Sequence, residues 1–320
     1  MPQCLIIKPS SLGDIIHGLQ VVQTLREQIV DLRISWVVRE AFAPLVEACT
    51  TVDEVHRFYR SGGLKAFYQL VCHIRKTRFD AVLDMQGLAR SALMSLCARS
   101  SLKLGRRDAR EGAYFFNTNR VPLPPNGTDA HAVDILLQFC RPFGLEPRLR
   151  GKLNFRPPYS SNLPHTLLKE HPIVLFPNSR RPEKEWPKFA PLTERLLENM
   201  PQHIVVWAGN APLPSSDHWP KDRFYNLLGQ TGLAQLPTLV GAAALVISND
   251  SGPMHLAAAM GVPVLALFGP TPATRYGPYP LSSPRHRVLE APRQNLALLE
   301  VDDVLTAVQS MLKYPNCETS

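Results

Sequence analysis

Short apolar runs alternate with segments of helical period along most of this chain, and the alternation restarts halfway. Cys4–Lys8, Ile34–Val38, Val55–Phe58 and Asp80–Asp84 read as strands, and between the first two lies Ile15–Arg26 with apolar residues at Ile15, Ile16, Leu19, Val22 and Leu25. Strand-helix-strand alternation predicts a parallel sheet wrapped by helices. Between Arg148 and Pro172 the pattern lapses at Pro157-Pro158, Ser160-Ser161 and Pro164, which sets a domain boundary there. The grammar then resumes. Ile173–Phe176, Ile204–Trp207, Leu245–Ser248 and Val264–Phe268 read as strands, with helices near Phe189–Asn199, Leu233–Ala243 and Pro253–Met260. Asp302–Leu312 reads as a terminal helix whose acidic first turn suits the positive end of its dipole. Two open parallel sheets in one chain predict ligand binding in a cleft at the carboxyl ends of their strands.

Composition narrows this picture. A length of 320 residues suits two α/β domains, and 45% hydrophobic with 19% charged residues is a globular balance that excludes low complexity and disorder. No run approaches the ~20 apolar residues of a bilayer-spanning helix. The N-terminus enters directly into Cys4-Leu5-Ile6-Ile7 without a basic leader, which predicts a cytoplasmic protein. Six cysteines lie far apart without a C-x-x-C pair and read as small buried hydrophobes in a reducing compartment. The net charge of +8 is uneven: residues 1–150 hold 20 Lys+Arg against 14 Asp+Glu, the remainder 15 against 13. A basic first half suits an anionic partner, although a solvated basic surface is an equally simple reading.

Three strand-end loops concentrate candidate chemistry. In Asn249-Asp250-Ser251-Gly252-Pro253-Met254-His255 a strand ends, turns and opens a helix with proline in its first turn, so the free N–H groups near Ser251 and Gly252 suit a phosphate. Asp250 suits sugar or ribose hydroxyls, and His255 can donate to a phosphate oxygen. Simple helix capping is the alternative, but it leaves part of the exposed Asn-Asp-Ser-Gly cluster unexplained. Asn178-Ser179-Arg180-Arg181-Pro182-Glu183-Lys184-Glu185 follows the strand Ile173–Phe176. Arg180 and Lys184 suit a diphosphate there, against the alternative of a self-paired surface loop. In Lys8-Pro9-Ser10-Ser11-Leu12-Gly13-Asp14 the carboxylate of Asp14 is the best-placed general base, or else merely complements a helix dipole. Lys8 either binds an acceptor anion or tunes Asp14. Asp84-Met85-Gln86-Gly87-Leu88 ends the fourth strand of the same domain, and Lys103, Arg106, Arg107, Arg110 and Arg120 add positive charge.

Lys8–Ile15, Asp84–Leu88, His131–Asp134, Lys184-Glu185-Trp186-Pro187, Leu228-Gly229-Gln230-Thr231, Asn249–Leu256 and Leu267–Thr271, in this order and spacing, resemble glycosyltransferase family 9, the bacterial ADP-heptose:lipopolysaccharide heptosyltransferases. The resemblance spans nearly the whole chain. It implies a GT-B type α/β fold of two Rossmann-like doubly wound parallel-sheet domains facing across a cleft. The acceptor domain would cover residues 1–160 and the nucleotide-sugar domain 161–300. The helix and tail 301–320 would pack back on the first domain. By position, Asp14 matches the catalytic base; Ser179, Arg180, Lys184, Gln230, Thr231, Asp250, Ser251, Gly252 and His255 match the donor site. Lys8, Ser10, Ser11, Gln86, Gly87 and Arg120 fall on the acceptor side.

The activity implied is an inverting transfer of heptose from ADP-heptose to a lipopolysaccharide inner-core acceptor of the Kdo-lipid A type. The partners are then a nucleotide-sugar, an anionic glycolipid and the anionic inner face of the inner membrane, contacted peripherally, with no nucleic acid. No Asp-X-Asp motif occurs, so neither a catalytic metal nor another cofactor is expected. An enzyme of the same fold using another nucleotide-sugar, or an epimerase, is the nearer alternative. A non-enzymatic basic nucleic-acid-binding protein is the remoter one, motivated by a pI near 9.3 but lacking any recognition module.

Overall fold

The computed structural model describes residues 1–116, 119–158 and 163–313 and divides into two units, Met1–Arg156 and Pro157–Ser320. The boundary set from the sequence, between 160 and 161, lies outside the described residues; the division itself falls just ahead of Pro157-Pro158.

The first unit runs β1 (Gln3–Ile7), α1 (Leu12–Gln28), β2 (Arg33–Arg39), α2 (Ala43–Ala48), β3 (Glu54–Phe58), α3 (Gly63–Ile74), β4 (Ala81–Asp84), α4 (Ala89–Cys97), β5 (Leu102–Arg106), β6 (Asn119–Val121) and α5 (Ala132–Leu137). Its strands form one six-stranded parallel sheet in the order β3-β2-β1-β4-β5-β6. Central β1 and β4 are buried along almost their whole length, as strands covered on both faces must be. One face carries Leu5, Ile7, Val37, Phe58 and Val82 against Leu70 and Ile74 of α3 and Met94 of α4.

The second unit runs α6 (His165–Lys169), β7 (Ile173–Phe176), α7 (Phe189–Asn199), β8 (Val205–Gly209), β9 (Phe224–Leu228), α8 (Leu236–Ala242), β10 (Leu245–Asn249), α9 (Gly252–Met260), β11 (Val264–Phe268), α10 (Ala273–Tyr276), β12 (His286–Glu290) and α11 (Val301–Lys313). The sheet is again six-stranded and parallel, β12-β11-β10-β7-β8-β9. Read in chain order from its own first strand, this arrangement repeats that of the first unit. Trp186, Trp207, Phe189 and Trp219 fill the layer between this sheet and α7. The polar ends of two indoles are satisfied: Trp207 Nε1 donates to Thr193 Oγ1 at 2.8 Å and Trp186 Nε1 to the Leu299 carbonyl at 3.1 Å. Val304, Leu305, Ala307 and Val308 of α11 join the same core, and α11 packs on α7. The helix set apart in the sequence reading is therefore a layer of the second unit.

In both sheets the chain starts in the middle, moves outward, then crosses back to the other side. The crossing point lies between β1 and β4 in the first unit and between β7 and β10 in the second. There the loops leaving the two strands' carboxyl ends diverge to opposite faces and open a crevice for a ligand. No helix among the described residues is long and apolar enough to cross a membrane. The cysteines depart from the uniform burial expected: Cys4, Cys49 and Cys140 are buried, Cys97 is half-buried and Cys72 is exposed, all as free thiols. Cys317 lies outside the described residues.

Candidate functional site

The first crevice is built by the loops after β1 and β4. Ser11 precedes α1, and Asp14 in its first turn reaches back to it: Ser11 N donates to Asp14 Oδ2 at 3.0 Å and Ser11 Oγ to the same oxygen at 2.7 Å. The other oxygen, Oδ1, faces Lys8 Nζ at 3.6 Å. Lys8 is 1% exposed, whereas the Asp14 side chain is 45% exposed. Burial opposes ionisation of Asp14, but the Lys8 ammonium and the two Ser11 bonds outweigh it and hold the carboxyl well below the usual range. Burial pushes the Lys8 ammonium below its ordinary value, and the Asp14 carboxylate works against that shift. The lysine is sealed by Trp36, whose Nε1 donates to the Lys8 carbonyl at 3.2 Å. Trp36 is admitted because residue 18 is glycine: a Cβ there would meet the indole at 3.0 Å.

Lys8 Nζ also donates to the Met85 carbonyl at 3.1 Å, which ties β1 to the turn after β4. In that turn Asp84 Oδ1 accepts the backbone N–H of Gln86 at 3.1 Å and of Gly87 at 3.0 Å. Gly87 has φ +70°, and an added Cβ would stand 3.1 Å from the Arg106 stem. Gln86 Oε1 returns to the first loop by accepting Ser10 N at 3.4 Å. Lys8, Ser10, Ser11, Asp14, Gln86 and Gly87 thus form one constellation. Of the two readings of Lys8, the contacts favour the one in which it tunes Asp14: its ammonium is buried between Asp14 and the Met85 carbonyl. Arg120 is not part of the group. It lies on β6 at the sheet edge, three strands from β1 (roughly 14 Å at ~4.8 Å per strand), with its guanidinium over the Tyr114 ring at 5.2 Å.

The second crevice is built by the loops after β7 and β10. Lys184 Nζ meets Asp250 Oδ2 at 2.5 Å, and Thr271 Oγ1, from the loop after β11, donates to the same oxygen at 2.6 Å. The self-paired alternative for this loop therefore does not hold at Lys184, although Arg181 and Glu183 do pair with each other. Here the burial is reversed, with the Asp250 side chain 7% exposed and Lys184 15%. Asn249, fully buried, is the strut between the loops: its Oδ1 accepts Trp186 N at 3.0 Å and its Nδ2 donates to the Pro177 carbonyl at 2.8 Å. Trp186, 2% exposed, anchors the far end of the Lys184 loop.

The Asn-Asp-Ser-Gly cluster is thus not exposed as expected; Asn249 and Asp250 are buried because they carry the loop-to-loop bonds. Ser251 stands at the start of α9, yet its hydroxyl meets Ser248 Oγ at 3.1 Å and does not cap the helix. Gly252 opens α9, and His255 lies buried one turn later. Ser179 is held through its N–H by Glu185 Oε1 at 2.6 Å, and Arg180 is exposed. Gln230 and Thr231 bond back to the carbonyls of Asn226 and Leu227 in the turn after β9. The structure brings Lys184 onto Asp250, with Ser251 next in the chain, and sets Gln230 and Thr231 two strands from β7.

Sequence reasoning did not single out Asn249, Thr271 and Glu185, whose partners lie in other loops or across a turn. Among the described residues, Glu54, His56 and His73 gather potential metal-ligand atoms within 4.8 Å of one another. They belong to β3 and α3 and not to either set of loops.

The chain and its fold are similar to known proteins. The family model described as glycosyltransferase family 9 (heptosyltransferase) matches residues 67–306. The lipopolysaccharide core heptosyltransferase OpsX of Haemophilus influenzae is 27% identical over 86% of this chain and 81% of its own length. Lipopolysaccharide heptosyltransferase 1 of Escherichia coli is 26% identical over 96% and 99%. Among solved structures, the E. coli heptosyltransferase WaaC with ADP superimposes with a TM-score of 0.77 at 22% identity, covering 96% of this chain and 99% of that one.

Proposed function

This chain belongs to glycosyltransferase family 9 and has the GT-B fold, and from that premise we propose that it transfers heptose from ADP-heptose to an inner-core lipopolysaccharide acceptor of the Kdo-lipid A type. The observation that carries the chemistry is the Asp14 carboxylate, held ionised by a buried lysine and presented at the crevice of the first sheet. In this reading Asp14 takes the proton from the acceptor hydroxyl as that oxygen attacks the anomeric carbon, and the carbon–diphosphate bond breaks on the opposite side, inverting the configuration. A carboxylate of low pKa is a weak base toward a free alcohol. It is suited to a proton that becomes acidic only as the new bond forms, late in the step.

The leaving diphosphate falls to the second unit. Lys184 supplies the positive charge, and the N–H groups opening α9 at Gly252, beside Ser251, supply donors. Donor binding exchanges part of the Lys184–Asp250 pair for Lys184–phosphate, while Thr271 keeps Asp250 in place. With the charge supplied by a lysine, the step requires no divalent cation. Ser10, Ser11, Gln86 and Gly87 line the acceptor side; Arg180 and His255 assist the donor. The enzyme would act at the cytoplasmic face of the inner membrane, held there peripherally and without nucleic acid.

The test is turnover with ADP-heptose and a Kdo-lipid A type acceptor, with the product's anomeric configuration read by NMR. Formation of the inverted product, lost in Asp14→Asn, is expected. Turnover only with a different nucleotide-sugar would overturn the donor assignment, and a retained configuration would overturn the single displacement.

A further inference from the structure

The first unit carries an apolar cavity that the chemistry above does not use. It has a volume of about 410 Å³ and is walled by Phe58 at the end of β3, Leu64 and Phe67 of α3, Leu93 of α4, and Phe116. Its surroundings are unusually apolar for a water-facing surface. Leu64 is 88% exposed, Tyr68 69% and Phe115 75%. Helix α3 shows why: Leu70, Val71 and Ile74 in its last turns are buried, while its first turns hold Leu64 and Tyr68 out in solvent. An apolar cavity whose wall includes a leucine as exposed as Leu64 marks a binding surface.

The rim is basic. Arg60 and Arg90 line the cavity, Lys65 is exposed beside Leu64, and the Arg90 guanidinium lies over the Phe58 ring at 5.7 Å. Two carboxylates, Glu40 and Glu111, reach this rim through the backbone N–H groups of Arg60 and Ala89. An apolar slot edged by guanidinium groups has the chemistry of one acyl chain beneath one phosphate. A single buried chain gives only marginal membrane attachment, and a basic cluster is the second signal that makes it stable. The position fits as well. The Gln86–Gly87 turn, which touches Ser10 of the Asp14 loop, runs on through Leu88 into Ala89 and Arg90 at the cavity wall.

We propose that this face of the first unit is its membrane-docking surface, the cavity taking one acyl chain of an anionic phospholipid and Arg60 and Arg90 its phosphate. The inference rests on the membrane-surface reading of the function and names the surface that performs it. It accounts for apolar side chains left in water by a helix otherwise able to bury them. It also accounts for Arg60 and Arg90, whose guanidinium groups form no salt bridge among the described residues, the nearby Glu40 and Glu111 accepting backbone N–H groups instead.

Flotation with equimolar phosphatidylglycerol/phosphatidylcholine vesicles tests it, using the full chain. Wild type is expected to bind, and to bind more weakly to phosphatidylcholine alone. Leu64→Asp, at an exposed position that places no demand on folding, should weaken partitioning about tenfold or more. Arg90→Gln should weaken it roughly fivefold and reduce the salt dependence. Both Leu64→Asp and wild type should turn over a water-soluble, deacylated acceptor equally. Absence of wild-type binding would overturn the membrane reading itself. Wild-type binding that survives Leu64→Asp and vanishes in salt would leave that reading intact and overturn this surface.

Discussion

Each unit places one lysine–aspartate pair at the crossing point of its sheet, and the two pairs are built inside out with respect to each other. In the first unit the cation is sealed, 1% exposed, and the carboxylate stands 45% exposed. In the second the carboxylate is the deeper partner at 7% and the lysine lies nearer solvent at 15%. The same strand order therefore presents an anion on one sheet and a cation on the other. In each pair the deeper partner fixes the direction of the more exposed one, and the proposed chemistry uses the more exposed group. The function proposed above takes a base from the first unit and a positive charge from the second, and the inversion of the two pairs fits that proposal.

The comparison breaks most readily at the presented groups. Asp14→Asn keeps the shape and the Ser11 contacts while removing the base, and is expected to lower kcat by roughly 10²–10⁴ with little change in donor KM. Next comes Lys184→Ala, expected to cost about 10²-fold in kcat through loss of leaving-group stabilisation, with acceptor KM unchanged. If Lys184→Ala instead raised acceptor KM alone, the assignment of the lysine to the donor would be wrong.

Mutating the buried partner sharpens the contrast. In wild type the folded pKa of Asp14 lies below its unfolded value, near ~3.9. Its ionised form therefore stabilises the fold above that value, and this contribution is lost as pH falls through the lower folded pKa. The acid limb of the rate profile should accordingly lie below about pH 4. Lys8→Met removes the cation, leaves burial to act alone, and should move that limb upward; an unmoved limb would mean that Lys8 does not tune Asp14. The smallest effect is expected from Thr271→Val, which frees one side of Asp250 and should raise donor KM several-fold, about 1 kcal/mol for one hydrogen bond.

Much of this frame was legible in the residues. The strands Ile173–Phe176 and Val264–Phe268 and the helix Phe189–Asn199 have the bounds their apolar runs and helical period predict. The strands that escaped notice, β5, β6, β9 and β12, lie outside the crossing-point pairs of their sheets. Their residues are largely half-exposed, so Leu102–Arg106 and His286–Glu290 carry arginine, lysine and glutamate and lack a continuous apolar run. At the sites, Asp14 is legible as a carboxylate beside a glycine at a helix start, and its partner Ser11 lies only three residues away. The Lys184–Asp250 contact joins residues 66 apart, and nothing local announces it. His131, quoted within a motif, joins the start of α5 to α1. Its Nδ1 accepts the Val133 N–H at the start of α5 while its ring meets that of His17 in α1.

The placement of the four tryptophans has a practical consequence. Trp36 is the first unit's only indole, stacked over Gly18 with its N–H on the Lys8 carbonyl; the other three sit in the second unit. Emission excited selectively in indole is thus a two-channel optical readout. A Trp36→Phe chain reports melting of the second unit alone, and the difference from the parent spectrum follows the neighbourhood of Lys8 and Asp14 as it loosens.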